Sequence, residues 1–272
     1  MLGSVADAED VVQEARLRLL RQSTAPDNED AWLFRVVTNL SLDRLREQKR
    51  RRENYPGPWL PEPFPTEESA DGPEDVAELA EDLSMGFVHM LERLTPVERA
   101  VFVLREGFDL SFDDIGAALD ASASSCRQRY RRAKTHLQAP EPRSRETAEA
   151  QQAMLERLLA VVAERDLDGL IDLFSEDAVA YADGGGVVSA AIIPITEPRR
   201  IAQVTMHTTH KLMQEGDVGF TWQMLNGGPG LLVTLDGVLV STLQLELRDS
   251  HIQYLYLVRN PEKLAHLATL LK

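Results

Sequence analysis

The chain has 272 residues, of which 43% are hydrophobic, and its formal net charge is −15. This length allows two or three domains, each with a core of its own. No run of about 18 apolar residues occurs, which excludes a membrane-spanning helix. The single cysteine, Cys126, excludes an internal disulfide and suits a reducing cytoplasm, where we expect the protein to lie.

Residues 1–54 predict a pair of helices. The first runs from about residue 5 to 21 and has acidic residues near its start, as the helix dipole favours. The second runs from about residue 28 to 53 and carries apolar residues at helical spacing, beginning with Trp32. It ends in the basic run "RLREQKRRR" at 44–52, which suits a helix C-terminus and also a phosphate backbone.

A linker is predicted at residues 55–72, where five prolines fall between positions 56 and 65. Proline lacks an N–H group and restricts the residue before it, so neither a helix nor a central strand is expected here. Residues 59–98 hold eleven acids and one base, so an acidic stretch separates the two basic parts of the chain. A helix is expected within this stretch, from about residue 73 to 93.

Residues 73–138 predict a helix-turn-helix domain. Thr95 caps a helix that begins at Pro96 and ends at Gly107, Ser111 caps the next helix, and Ser122 caps the last. That last helix, "SASSCRQRYRRAKTHL", has five basic residues and no acid. A short helix, a tight turn and a longer basic helix have the proportions of a DNA-reading motif.

Residues 139–272 predict an α+β domain. Two helices are expected within 146–174, and β-type runs dominate from residue 178 onward, with an Asp-Gly hairpin signal in "LDGVLV". We expect an antiparallel sheet and a closing helix at about 261–270. The run "IAQVTMHTTH" is predicted as a strand, which would turn its two histidines, His207 and His210, to opposite sides and disfavour metal chelation.

Taken together, these motifs resemble the extracytoplasmic-function sigma factors of bacterial RNA polymerase. "LGSVADAEDVVQEARLRLL" resembles the helix that binds the polymerase clamp, and "AWLFRVVTNLSLDRLREQKRRR" the helix that opens the minus-ten promoter element. "LTPVERAVFVLREGFDLSFDDIGAALDASASSCRQRYRRAKTHL" resembles the domain that binds the minus-thirty-five element. The family has a further helix before the first of these stretches, so sigma region 2, at 1–54, is expected to be N-terminally short.

The second half resembles the SnoaL-like extension of one subgroup of these sigma factors. The subgroup's marks are "WLPEP" at 59–63, "DGGG" at 183–186 and "NPEKL" at 260–264, although Val187 stands where relatives carry a basic residue. The implied fold is multidomain: an all-α region 2 at 1–54, the linker at 55–72, an all-α region 4 at 73–138, and an α+β, ketosteroid-isomerase-like cone at 139–272.

The resemblance implies three sets of functional residues. The polymerase-binding set is Asp7, Asp10, Gln13 and Glu14. The DNA-binding set is Trp32, Asn39, Arg44, Arg46, Ser124, Ser125, Arg127, Gln128, Arg131 and Arg132, with Asp43 beside the promoter-melting residues. The set that regulates the DNA-binding domains is Trp59, Leu60, Pro61, Glu62, Pro63, Asp183, Gly184, Gly185, Gly186, Asn260, Pro261 and Lys263.

The resemblance further implies a sigma factor that binds core RNA polymerase and promoter DNA. Its cone would regulate it in cis, without a separate anti-sigma protein, a membrane or a cofactor. No enzymatic activity is expected of the cone, because a fold shared with enzymes does not imply catalysis. A cone that senses a small molecule or acts as an enzyme is the alternative, for which Tyr181, Asp183 and His207 are the catalytic candidates. A one-component repressor that uses only the helix-turn-helix is a third reading. Cys126 is expected to be a small core residue rather than a redox switch, and Trp59 to pack against the C-terminal domain, with a plain spacer at 59–63 as the alternative. A core role for Trp32 and a solvated helix end at 49–52 remain alternatives.

Overall fold

The computed structural model describes residues 1–22, 24, 26, 28–66, 84–137 and 146–271. The chain divides into two compact units. The first comprises Met1–Asn54 and Val88–Glu141, and the second comprises Tyr55–Phe87 and Pro142–Lys272. The part of the linker that the structure describes, Tyr55–Thr66, therefore belongs with the C-terminal residues, and we call it the proline segment.

The first unit is helical. Its elements are α1 (Val5–Leu20), α2 (Glu29–Arg52), α3 (Met85–Leu91) from Val88 onward, α4 (Pro96–Glu106), α5 (Phe112–Leu119) and α6 (Ala123–Leu137). Of the range 73–93 predicted as a helix, residues 73–83 lie outside the described residues, and Met85–Leu91 is helical.

Local chemistry sets the ends of these helices. The Thr95 hydroxyl accepts from the Glu98 amide while the Glu98 carboxylate accepts from the Thr95 amide, which is a complete capping box. Ser111 and Ser122 accept from the first-turn amides of α5 and α6. Asp120 closes α5 in the left-handed conformation, which produces the tight turn into α6.

Two apolar clusters organise the first unit. One joins α1 to α2 through Leu2, Val11 and Leu45. The other is the core of the helix-turn-helix, formed by Val101, Leu104, Ile115 and Cys126, with Phe34 of α2 packed against it. Because Phe34 contributes to this second cluster, α2 and the helix-turn-helix form one packed body.

The second unit is a six-stranded sheet with helices. Its elements are α7 (Ala148–Glu164), α8 (Leu167–Ile171), β1 (Phe174–Asp183), β2 (Ile195–Thr196), α9 (Pro198–Glu215), β3 (Val218–Leu225), β4 (Gly228–Leu235), β5 (Val238–Arg248), β6 (His251–Val258), α10 (Pro261–Leu264) and a 3₁₀ helix (Ala265–Leu271). The strand order is β2-β1-β6-β5-β4-β3. Asp236 and Gly237, both with positive φ, form the predicted hairpin turn between β4 and β5.

Packed side chains lie on both faces of this sheet. One cluster joins α7, α8 and α9 to the strands through residues such as Leu158 and Ile252. The other includes Leu60 of the proline segment, Leu232 of β4 and Leu267 of the 3₁₀ helix. The proline segment is therefore part of a hydrophobic core.

Three predictions about this unit need correction. The run 201–210 is helical, as part of α9, because Pro198 starts a helix whose buried residues Ile201 and Ala202 follow helical spacing. The sheet is mixed, since β1 and β6 run parallel. The closing helix is α-helical only over Pro261–Leu264 and continues as a 3₁₀ helix to Leu271.

Candidate DNA and polymerase surfaces and the site that holds the proline segment

The basic helix α6 presents its predicted DNA-binding residues on one side. Ser124, Arg127, Gln128 and Arg131 are exposed at helical spacing, Arg132 is exposed beside them, and Ser125 is half-buried. The buried residues of α6, Cys126 and Ala133, are seven positions apart and face the core. The basic side of α6 is thus accessible while the opposite side of the helix packs in the core.

The predicted promoter-melting residues of α2 separate into two groups. Trp32, Asn39 and Arg46 recur every seven positions and so share one side of the helix, with Trp32 half-buried and the others exposed. Asp43 lies beside them and pairs with Arg46 at 2.8 Å. Arg44 instead faces α1.

The predicted polymerase-binding residues of α1 face α2 in part. Arg44 pairs with Asp10 at 3.0 Å, and Gln48 donates to the carboxylate of Asp7 at 2.7 Å. Gln13 is exposed and Glu14 is half-buried. A cavity of 330 Å³ between the two helices is lined by Asp10, Val11, Glu14, Leu40, Asp43, Arg44, Glu47 and Arg50.

A buried ion cluster, which sequence reasoning missed, ties the end of α2 to the start of α4. The carboxylate of Glu92 pairs with Arg52 and, at 2.8 Å, with Arg99. Arg99 is 2% exposed and also donates to the carbonyl of Met1 at 3.0 Å. Burial lowers the pKa of the Arg99 guanidinium to about 10, so it stays charged at neutral pH. Arg52 therefore differs from its exposed neighbours in the 49–52 run.

In the second unit, Asp183 is the centre of the site that holds the proline segment. Asp183 is 0% exposed, and its carboxylate accepts from the Tyr55 hydroxyl at 2.5 Å and from the Leu60 amide at 2.9 Å. It also pairs with Lys263 at 2.7 Å and accepts from the Gly185 amide. Burial, followed by the hydrogen bond to Asp183, raises the pKa of Tyr55 well above its ordinary value. The phenol is therefore neutral and donates.

Lys263 binds the proline segment next to Asp183, at Leu60 and Trp59. Its ammonium donates to the carbonyl of Leu60 and lies 3.6 Å from the centre of the Trp59 ring, a cation–π contact. Trp59 in turn packs edge-on against Tyr55, with ring centres 4.6 Å apart. One residue, Leu60, thus has its N–H bound by a carboxylate and its C=O bound by an ammonium.

Further along, the segment is held mainly through its backbone. His266 lies 2.7 Å from the carbonyl of Pro63, and the side-chain amide of Asn226 donates to Glu62 and accepts from Phe64. The segment then pairs with the end of β3, where Thr66 donates to Met224 at 2.9 Å. Side chains contribute as well, since Leu60, Pro61 and Pro63 are buried.

The glycines of "DGGG" allow close approach. Gly185 and Gly186 have positive φ, and a Cβ atom there would lie 2.5 Å from the Asn260 side chain and 2.4 Å from Pro56. A Cβ atom on Gly184 would lie 2.3 Å from a neighbouring carbonyl oxygen. The loop could not pass this close to the proline segment with larger residues.

The motif "NPEKL" places two polar groups in the same site. Asn260 caps α10 by accepting from Glu262, and its amide donates to the Tyr55 hydroxyl at 2.9 Å. Pro261 takes the first helical position, and the short helix carries Lys263 toward Asp183. The structure therefore brings together the three quoted motifs, whereas Tyr55, Asn226 and His266 are members that the sequence did not reveal.

The three catalytic candidates do not form one site. Asp183 is buried in contacts with the proline segment, Tyr181 stacks on Tyr256 with ring centres 5.7 Å apart, and His207 is exposed on α9. On this helix His207 and His210 are one turn apart, so the expectation of opposite faces was wrong. Even so, no group of three or more metal-ligating side chains occurs among the described residues.

Comparison with known proteins gives a consistent result. The model of sigma-70 region 2 matches residues 1–51, and that of sigma-70 region 4 matches residues 84–137. The extracytoplasmic-function sigma factor SigJ of Mycobacterium tuberculosis H37Rv is 31% identical, covering 97% of this chain and 87% of SigJ. The probable sigma factor SigI of the same strain is 28% identical, with 97% and 88% covered.

Solved structures agree with the sequence comparison. The crystal structure of M. tuberculosis SigJ aligns with a TM-score of 0.76 at 30% identity, covering 97% of this chain and 91% of that one. The predicted fold class, helical regions 2 and 4 followed by an α+β SnoaL-like cone, is confirmed. In the described part of the chain, each helix is too short or too polar to cross a membrane. The chain belongs to the extracytoplasmic-function RNA polymerase sigma factors, which direct transcription initiation at specific promoters.

Proposed function

We propose that this sigma factor binds core RNA polymerase through α1 and reads promoter DNA through α2 and α6. The exposed side of α6 would lie in the major groove at the minus-thirty-five element, where an arginine can bind guanine or phosphate. Trp32, Asn39 and Arg46 would meet the unpaired bases of the minus-ten element, where an aromatic stack contributes about 1–3 kcal/mol per base. Of the four residues predicted to bind polymerase, Asp10 and Gln13 are the most exposed.

The second part of the proposal is regulation in cis by the C-terminal unit. The observation that carries it is the clamp on Leu60, whose N–H is bound by Asp183 and whose C=O is bound by Lys263. The proline segment lies in the chain between α2 and α4, so holding it limits how the two DNA-binding regions can separate. Each of the three motifs supplies one residue of this clamp, namely Leu60, Asp183 and Lys263.

We further propose that the protein works in the cytoplasm without a separate anti-sigma protein, and that the cone is not an enzyme. The cone's most buried carboxylate, Asp183, is already bonded to four donors, which supports a structural use for it. Packed apolar clusters on both faces of the sheet support the same interpretation over a small-molecule sensor. A ligand that raised the melting temperature of the protein would favour the sensor instead.

The polymerase contact is tested by co-elution of the full chain with bacterial core RNA polymerase at about 0.15 M salt. Stoichiometric binding is expected, and an Asp10→Lys/Gln13→Lys variant should lose most of it. A Glu176→Lys variant on the C-terminal unit is the control for added positive charge. Failure of both the full chain and a chain without residues 140–272 to bind would contradict the sigma assignment of α1.

Regulation in cis is tested by transcription from a cognate promoter with a Lys263→Met variant. Loss of the ammonium should release the proline segment and change promoter output several-fold, as should deletion of residues 140–272. Lys211→Met, which removes an exposed lysine of the same unit, is the matched control. Unchanged output from both Lys263→Met and the deletion would reject the regulatory role.

A further inference from the structure

The site that holds the proline segment has the features of a peptide-binding groove. The bound chain is extended, with no helix over Tyr55–Thr66. The groove contacts the backbone at Leu60, Glu62, Pro63 and Phe64 through side chains of the C-terminal residues, and contacts Thr66 through strand pairing. Backbone recognition of this kind provides affinity, while pockets for selected side chains provide specificity.

The pockets define which peptides fit. Leu60 is 0% exposed and packs among Leu225, Leu232, Leu264 and Leu267. The ring of Trp59 covers the Lys263 ammonium, so an aromatic residue is favoured just before the leucine. Pro61 and Pro63 are buried. Glu62 between them is half-buried, and its backbone carbonyl accepts from the Asn226 side-chain amide.

Proline makes such a segment a good ligand. Its ring fixes φ near −65°, so a chain with prolines at 61, 63 and 65 has little freedom to lose on binding. Many domains that bind proline-rich segments use this low ordering cost together with aromatic contacts.

We propose that the C-terminal unit is a receptor for extended peptides of the pattern aromatic–Leu–Pro–Glu–Pro. The proline segment is its resident ligand, and a partner protein carrying such a segment displaces it. This inference rests on the proposed regulatory role, because displacement by a partner would supply the activating signal. Peptide binding is measured without polymerase, so its failure and the failure of regulation are separate results.

The test uses the full chain and a labelled synthetic peptide with the sequence of residues 55–66, YPGPWLPEPFPT. In the unaltered chain the resident segment competes at the high effective concentration that a tether gives. A Trp59→Ala/Leu60→Ala variant weakens that competitor without changing the groove walls. By fluorescence anisotropy the peptide should bind this variant at least tenfold more tightly than it binds the unaltered chain.

Two controls locate the binding in the groove. A peptide with aspartate in place of its leucine should not bind, because a charge would enter the apolar pocket. Adding Lys263→Met to the double variant should weaken the normal peptide at least tenfold, whereas adding Lys211→Met should not. If the double variant does not fold by circular dichroism, Trp59→Ala alone replaces it, since Leu60 then stays in its pocket.

The proposal is overturned if the folded variant does not bind the peptide, or if it binds the aspartate peptide equally well. Equal affinity for the variant and the unaltered chain would also overturn it, since the peptide would then bind elsewhere. A dimer of the unaltered chain by light scattering, lost in the double variant, would name a second copy as the occupant and reject a separate partner.

Discussion

At the scale of single residues, the energetics of the C-terminal unit depend on how Asp183 is compensated. A buried carboxylate loses its hydration, which costs several kcal/mol unless a cation and hydrogen-bond donors replace the water. Asp183 has the cation in Lys263 and three further donors in Tyr55, Leu60 and Gly185. Two of those donors come from the proline segment, so binding of the segment and the stability of the unit are linked.

Removing one member of the buried Asp183–Lys263 ion pair should therefore strongly lower the stability of the protein. Lys263→Met leaves the carboxylate buried without its cation, and we expect a loss of about 3–5 kcal/mol in the free energy of unfolding. Adding Asp183→Asn removes the uncompensated charge and should recover part of the loss. Urea denaturation measures both, and Lys211→Met should stay within about 0.5 kcal/mol of the unaltered chain. Additive losses in the double variant would show that the two groups do not interact.

Tyr55 gives a prediction for alkaline pH. Its pKa is raised in the folded state by burial and by the bond to Asp183, whereas in the unfolded chain it is about 10. The neutral phenol therefore contributes stability that is fully present below pH 10 and is lost as the pH rises toward the folded value. Unfolding free energies measured between pH 8 and about 11.5 should fall more steeply for the unaltered chain than for Tyr55→Phe. Parallel curves would contradict the proposed contact.

At the scale of secondary-structure elements, the turn of the helix-turn-helix has little spare room. A Cβ atom on Gly116 of α5 would lie 2.5 Å from the backbone carbonyl oxygen of Ala121, and that backbone cannot move without displacing α6. Gly116→Ala should cost about 1–3 kcal/mol through overpacking. It should also weaken binding of the polymerase complex to the minus-thirty-five element.

Thermal unfolding and footprinting on promoter DNA measure the two effects. Ala117→Ser is the matched control, because residue 117 lies next in the same helix and is exposed. It should leave both the melting temperature and the footprint unchanged. A Gly116→Ala variant with an unaltered melting temperature would mean that the turn adjusts more easily than the contact distance implies.

The elements that could be predicted from the sequence are those with local end signals. Thr95, Pro96 and Glu98 specify the start of α4 by themselves, and Asp236-Gly237 specifies the hairpin turn between β4 and β5. Helix α9 was missed because its valine and threonine residues favour strands, and its start depends on Pro198. The parallel pairing of β1 with β6 joins strands some 75 residues apart, and no local pattern encodes such a contact.

In the candidate site, too, local features could be predicted from the sequence and tertiary contacts could not. Its motif residues could be named from the sequence, but their convergence on Asp183 depends on tertiary structure. Asn226 and His266 contact the proline segment from a hairpin turn and a 3₁₀ helix, so nothing in their neighbourhood marked them. Arg52 likewise looked like one of four similar cations until Glu92 and Arg99 placed it in a buried cluster.

At the scale of the whole molecule, an acidic protein carries positive charge on two small surfaces. This arrangement limits free binding to duplex DNA, because the acidic remainder repels phosphate and salt screens the basic patches. Polymerase can supply the missing affinity, so the sigma factor needs only enough charge on α6 and α2 to position the complex. Net charge alone would have argued against a role in transcription.

The number of phosphate contacts made by α6 can be measured from salt dependence. Each contact contributes a slope of about −0.9 in a plot of log affinity against log salt concentration. If Arg131 binds a phosphate, Arg131→Ala should weaken promoter binding of the polymerase complex and flatten this slope by about one contact. If it reads a base, affinity should fall with the slope unchanged. Arg199→Ala, on an exposed part of α9, should alter neither quantity.

The pairing of Phe64 and Thr66 with the end of β3 has a consequence for self-association. In this pairing Thr66 donates its N–H to Met224 and Phe64 accepts from the Asn226 amide, while Pro65 between them is exposed. Proline has no N–H, and the outward edge of this short stretch therefore lacks the donors that a further strand needs. At that corner another chain would find no N–H group at Pro65 with which to extend the pairing, which disfavours aggregation through this edge.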